Sequence, residues 1–274
     1  ENLSRQVEDK VTVLKGRADA YGGIVVDPAD LPMETAVFEE RLDTSLEEWR
    51  RLGTRGVWLK VPIEKSRLIS SAVERGFIFH HAEKAYCMLT QWLPLDSPSP
   101  LPPNASHQVG VGALVMNDEG KVLMVLESVG PTKGKNIWKI PTGLLNPHED
   151  IKTGVERELF EEVGLEAHFE KVVGFRHGHA APFGKSDLFF ICLMRAKETD
   201  VSKLTLQASE IESARWADFH EWLEQAPYPR DTPVWATLFG MCVGEDGIVG
   251  NVRGIEARRC HVQANSERQE YVYF

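Results

Sequence analysis

The chain has 274 residues, 42% of them hydrophobic and 26% charged, the proportions of an ordinary globular protein long enough for two domains. A formal net charge of −10 argues against a broad nucleic-acid footprint, which needs a basic stripe, but not against an anionic small substrate drawn in by a divalent cation. No apolar run reaches transmembrane length. The four cysteines, Cys87, Cys192, Cys242 and Cys260, lack metal or redox spacing, which points to free thiols in a reducing, cytoplasmic compartment. The first residue is Glu1 rather than Met, which leaves an upstream targeting segment open.

In chain order, residues 22–26 read as a strand, and residues 46–52 as a helix introduced by the cap-like Asp43, Thr44 and Ser45. A second strand follows over 56–61. An amphipathic helix over 64–75 is stopped by Gly76, and one or two strands fill 77–93. Together, residues 1–93 predict a small α/β domain with no phosphate loop and no metal cluster. Residues 94–107 carry five prolines, which forbid regular structure and predict an extended linker.

Strands over 109–115 and 121–126 follow, joined by a turn at Asn117, Asp118, Glu119 and Gly120. The stretch from Trp138 to Gly143 leads into an acidic helix over 150–163 that Gly164 stops. Further strands are predicted over 172–176, 188–194 and 214–217, with helices over 218–225 and 232–241. The expected second domain is 108–244. Residues 245–274 are a weakly patterned tail, with 270–274 able to pair as an edge strand.

The acidic helix carries the chemistry. Glu158, Glu161 and Glu162 stand at i, i+3 and i+4, so their carboxylates share one helix face and repel by roughly a few tenths of a kcal/mol per pair. A cation that takes oxygen ligands, Mg²⁺ above all, offsets that repulsion and polarises a phosphate.

Gly143, Glu149, Arg157, Glu158, Leu159, Glu161, Glu162, Gly164 and Leu165 match the spacing of the Nudix hydrolase signature throughout: Gly, five residues, Glu, seven residues, then Arg-Glu-aliphatic-x-Glu-Glu-x-Gly-aliphatic. The chain therefore resembles that family. The stretch 138–143, Phe175, Arg176 and His179, and the run 185–192 are similar to one two-domain branch of it. That branch includes plant ADP-ribose/NADH pyrophosphatases and the animal Nudix protein encoded antisense to basic fibroblast growth factor.

The resemblance implies an α/β fold: a Nudix α/β/α sandwich with a mixed sheet, preceded by a smaller, acetyltransferase-like α/β domain. It implies Mg²⁺- or Mn²⁺-dependent cleavage of a diphosphate linked to another moiety, with ADP-ribose or NADH as the expected substrate and AMP as one product. Glu158, Glu161 and Glu162 would hold the metal. Arg157 would orient them by charge-assisted hydrogen bonds. Gly143 and Gly164 would make the turns and Glu149 would anchor the loop. Glu161 and Glu210 are the two candidates for general base. Arg176, at the end of a strand, and His177, His179 and Phe183, on the loop after it, are candidates for substrate binding, the loop residues for phosphate contact and base stacking against a bland reading as packed or solvated loop.

One departure stands out: Asn146, Pro147 and His148 occupy the place where plant members carry a Gly just before the Glu, which predicts a stiffer loop. Acyl transfer by the first domain is disfavoured, because residues 50–55 end in Arg55 where a cofactor-binding turn needs a small residue. The expected partners are a dinucleotide or nucleotide-sugar substrate and a second copy of the chain, paired through the N-terminal domain. The non-enzymatic alternative is a nucleotide sensor acting through a protein partner.

Overall fold

The computed structural model describes residues 12–224, 233–261 and 269–274. The chain divides into two compact units between Ala105 and Ser106. No helix among the described residues is long and apolar enough to cross a membrane.

In the first unit, strands β1 (Gly16–Ala18) and β2 (Ile24–Val26) precede helix α1 (Thr35–Arg51), followed by β3 (Gly56–Pro62), α2 (Leu68–Glu74), β4 (Ile78–Glu83) and β5 (Tyr86–Trp92). The sheet order is β1-β2-β3-β5-β4, with only the β2–β3 pair parallel. Helix α1 starts well before the expected residue 46. Its buried stripe is Phe38, Leu42, Leu46 and Trp49, a helical period that overrides the cap-like residues. Thr44 and Ser45 instead lie inside the helix and donate to the carbonyls of Glu40 and Arg41, four residues back. Ser45 is fully buried, and its Oγ accepts the Leu14 amide at 2.8 Å, which satisfies a strand-side donor. The helix expected over 64–75 is shorter, a 3-10 turn over Ile63–Lys65 preceding α2.

The second unit opens with β6 (His107–Met116) and β7 (Val122–Glu127), joined by the expected turn. Asn117 Oδ1 accepts the amides of Glu119 and Lys121 there. The short strands β8 (Trp138–Lys139) and β9 (Thr142–Leu144) pair with β7 and β6, and helix α3 (Ile151–Val163) follows. Next come β10 (His168–Ala181), β11 (Lys185–Arg195), β12 (Ile211–Ala217), α4 (Phe219–Leu223), α5 (Pro233–Gly240), β13 (Ala257–His261) and β14 (Gln269–Tyr273). The main sheet runs β10-β11-β6-β7-β12 and is mixed, β11 and β6 being parallel.

The sheet is buried on both faces, so β6 and β7 read as nearly continuous apolar runs. Val111, Ala113 and Val115 pack with Val155, Leu159 and Val163 of α3. Leu114 and Met116 pack on the other side with Phe219, Trp222, Leu238 and Phe239. This is the α/β/α sandwich with a mixed sheet.

Two expectations change here. Strand β10 is far longer than 172–176, so His177 and His179 lie in the strand rather than on a loop beyond it. The expected tail is folded: β13 and β14 pair over five positions, and Val172 bridges to Ile255. Helices α4 and α5 are found, while Gln225 and Thr232, at the ends of their expected spans, lie outside the described residues.

Candidate active site

Helix α3 sets the geometry. Gly154, Val155, Leu159 and Val163 face the core, and Glu162 lies among them at 5% exposure. The side chain of Glu158 is 18% exposed and that of Glu161 is 53% exposed, so the three carboxylates form a gradient from core to solvent. Gly164 ends the helix in the left-handed region (φ 65°), its amide donating to Phe160 O at 2.8 Å. Gly143 is required by close approach: a Cβ there would lie 1.9 Å from Glu158 Cδ.

Arg157 organises the cluster. Its Nε donates to Glu149 Oε1 at 2.7 Å and Nη2 to Glu149 Oε2 at 2.7 Å, a bidentate fork. Nη2 also reaches Leu144 O, while Nη1 donates to Glu158 Oε1 at 2.8 Å and Glu161 Oε2 at 2.9 Å. These carboxylates raise the affinity of Arg157 for its proton. The Arg157 hydrogen bonds hold Glu149 below its ordinary value, and Glu149 Oε2 also accepts the Asn146 amide at 2.8 Å. Glu149 thus ties the preceding loop to α3. His148, next to it, sits at φ 67°, a left-handed conformation that glycine adopts without strain. The loop thus holds a non-glycine residue in a conformation that glycine favours.

Burial pushes Glu162 up to about 8. The Lys139 ammonium and the Thr142 amide oppose that rise, and the Glu158 and Glu210 charges add to it. Burial also raises Glu158; Arg157 counters this, and Glu161 and Glu149 reinforce it. Glu162 Oε2 is buried with no hydrogen-bond partner.

Among the described residues, no three His, Cys, Asp or Glu side chains are gathered as a formed metal cage. Within the cluster, Arg157 Nη1 donates to both Glu158 and Glu161. The donor set nevertheless fits a hard divalent cation: carboxylate oxygens throughout, one of them buried and unsatisfied, with raised proton affinity on two. Glu158, Glu161 and Glu162 are the residues that would hold it.

The two base candidates differ in setting. Glu161 is the solvent-side member of the helix cluster. Glu210 lies exposed in the turn before β12, close enough for its charge to act on Glu162, and its Oε1 accepts from Gln207 Nε2 at 3.4 Å. Lys139 was not singled out in the sequence. Its Nζ bonds Glu127 Oε1 at 2.5 Å and Thr142 Oγ1 at 2.7 Å, which places a cation between β7 and β9 beside Glu162. The adjacent Trp138 and Gly143 were the available signal.

The four expected substrate contacts do not share one surface. Phe175 stacks on Phe190, which packs on the α3 side, so His177 and His179 also lie on that face by strand alternation. His177 Nε2 is 2.8 Å from His107 Nε2, and His179 Nδ1 is 3.1 Å from Ser186 Oγ. Arg176 lies on the opposite face, bonded to Asp187 and 4.5 Å from the Trp235 ring centre. Phe183 is fully exposed at the hairpin tip with φ 61°.

Comparison with known proteins agrees with the fold and the helix. Residues 106–236 match the family model described as NUDIX domain, and residues 14–93 match a second described as Nudix hydrolase domain. The chain is 43% identical to Nudix hydrolase 8 of Arabidopsis thaliana over 88% of its own length and 64% of that protein's. It therefore spans just under two thirds of this relative. Identity to Nudix hydrolase 2 of the same plant is 43%, over 86% of this chain and 82% of the relative. The human protein named nucleoside diphosphate-linked moiety X motif 6 is 42% identical over 66% of this chain and 58% of its own length. An unbroken signature on α3, a mixed sheet between two helical layers and relatives that align across both units lead to one conclusion: this chain belongs to the Nudix hydrolase family.

Proposed function

We propose that this protein hydrolyses the diphosphate bond of a nucleoside diphosphate linked to another moiety, with ADP-ribose or NADH as substrate and AMP as one product. The observation that carries the reading is Glu162. Its buried carboxylate has an oxygen with no partner, and it stands beside Glu158 and Glu161 on a helix face organised by Arg157.

When bound, Mg²⁺ or Mn²⁺ would supply charge neutralisation for the diphosphate and would polarise a water. The chain does the rest. Glu158 and Glu162 present largely buried oxygens that solvent screens poorly, and a bound cation would favour their charged forms over the protonated ones that burial favours. Arg157 keeps Glu149 and the loop after β9 against the helix, so the carboxylates do not drift. Glu161 or Glu210 takes the proton as water forms its bond to phosphorus and the bridging P–O bond breaks, leaving a phosphate on each product. His177 and His179, on the α3 face of β10, would serve as phosphate contacts, with Phe183 at the tip as a stacking surface; Arg176, bonded to Asp187 on the other face, lies apart from them. The N-terminal unit serves as the contact between two copies; a monomer mass by light scattering of the full chain would rule this out.

The function is tested by product analysis with mass spectrometry. Wild type and Glu161→Gln receive ADP-ribose, NADH, coenzyme A, dinucleoside polyphosphates and capped RNA, each with Mg²⁺ or Mn²⁺. Release of AMP from ADP-ribose or NADH by wild type, lost in the variant, supports the reading. Nucleotide binding without turnover across the panel replaces it with a sensor that acts through a protein partner.

A further inference from the structure

Helix α3 begins without the side-chain cap that commonly satisfies a free helix start: Asp150 occupies the N-cap position and its carboxylate makes no capping bond. The helix ladder starts with the Gly154 amide, which donates to Asp150 O at 2.8 Å. Of the amides before it, that of Lys152 donates at 3.0 Å to Tyr273 Oη, 121 residues further along the chain. Tyr273 lies on β14 and packs against the same apolar cluster as α3. Burial holds its phenol up to about 12, so the hydroxyl keeps its proton at any working pH.

The β13–β14 hairpin does not hang from that contact alone. Glu256 and Phe274 exchange backbone hydrogen bonds at its base. Next to them, Ile255 exchanges two with Val172 of β10, at 2.8 and 2.9 Å. Lys171 Nζ reaches Val252 O at 2.8 Å. The C-terminal segment therefore ties together the two elements that carry Glu158, Glu161 and Glu162 on one side and Arg176, His177 and His179 on the other.

We propose that Tyr273 is a positioning residue whose hydroxyl caps the first turn of α3 and fixes the roll of the helix, and with it the aim of the three carboxylates. The proposal rests on the hydrolase reading above. Arg157 pins the helix to the loop through Glu149, and Tyr273 pins its start to the end of the chain, so each limits a rotation the other leaves free. At a side-chain radius of about 5–6 Å, a roll of about 10° sweeps a carboxylate through about 1 Å. A displacement of that size costs up to about 100-fold in rate. Removing the hydroxyl while keeping the ring is milder, and an expected loss of about threefold to tenfold follows from one hydrogen bond.

The test uses Tyr273→Phe in the full chain, with Val272→Ala, an exposed neighbour on the same strand, as the comparison. Hydrogen exchange and steady-state kinetics are read together. In Tyr273→Phe the Lys152 amide exchanges about tenfold faster while the Gly154 amide is unchanged. At the same time kcat falls about threefold to tenfold with KM within twofold. Val272→Ala leaves both readouts at wild type. Unchanged Lys152 exchange, or faster exchange with unchanged kcat, overturns the proposal. If wild type turns over no diphosphate, the hydrolase reading fails by itself, and Mn²⁺ affinity decides the positioning role. Weaker Mn²⁺ binding in Tyr273→Phe supports that role, and equal binding overturns it.

Discussion

Replacing Glu162 by Gln should stabilise the metal-free protein above neutral pH while removing its function. Glu162 keeps its proton in the folded state to about 8, against 4.5 for an ordinary glutamate, because burial disfavours the charged form. Between those two values the folded state binds a proton that the unfolded state has released. Stability therefore falls as pH rises through this window, and the cost is fully present above about 8. From pH 6 to the upper end spans about two pH units, and at 1.36 kcal/mol per unit the loss is about 2–3 kcal/mol. Glu158, also raised by burial, adds in the same direction, whereas Glu149 is lowered and titrates below this window. A glutamine of the same shape carries no charge to desolvate. Urea unfolding of EDTA-treated protein at pH 6 and pH 9 measures the difference. Wild type should lose about 2–3 kcal/mol more than Glu162→Gln across that range, and the variant should be the more stable protein at pH 9. Parallel pH dependences in the two proteins would refute the reasoning, because Glu162 would then ionise as an ordinary surface carboxylate.

Three further outcomes follow from the same geometry. Gly143→Ala puts a methyl 1.9 Å from Glu158 Cδ, so Glu158 must move. Turnover should fall at least about 100-fold, with about 1–3 kcal/mol lost in denaturant titration. Arg157→Lys keeps the charge but not the fork onto Glu149; kcat should drop steeply and stability by about 1.5–3 kcal/mol, and near-wild-type kinetics would contradict the organising role of Arg157. His148→Gly relieves a left-handed residue at φ 67° and should raise stability by about 0.5–1 kcal/mol with activity retained, readable as a higher melting temperature.

The candidate-site helix was legible because its residues are local in sequence. One stretch of 23 residues holds the turn, the loop anchor, the arginine and the carboxylates, and their spacing already places Glu158, Glu161 and Glu162 on one face. The two-layered core was legible for a related reason, since β6 and β7 are apolar on both faces. What escaped depends on partners distant in sequence. Lys139 acts on Glu162 only because β8 pairs with β7, which brings Glu127 within reach, and nothing in the segment itself announces that pairing. Tyr273 caps a helix that begins 122 positions earlier. The start of α1 was misplaced because Thr44 and Ser45 satisfy their hydroxyls on the preceding helical turn, which makes cap-like residues compatible with a helix interior. His177 and His179 read as loop because polar residues crowd the end of β10. That crowding reflects the exposed end of a long strand at the edge of the sheet.

The most direct test is hydrolysis of ADP-ribose with Mg²⁺ in ¹⁸O-labelled water, by wild type and Glu162→Gln in parallel, with product masses read by mass spectrometry. The account predicts AMP and ribose phosphate from wild type, one ¹⁸O in one of the two phosphates, and turnover at least about 1,000-fold lower in the variant. Intact ADP-ribose after prolonged incubation with wild type that binds Mn²⁺, or equal turnover by Glu162→Gln, would contradict it.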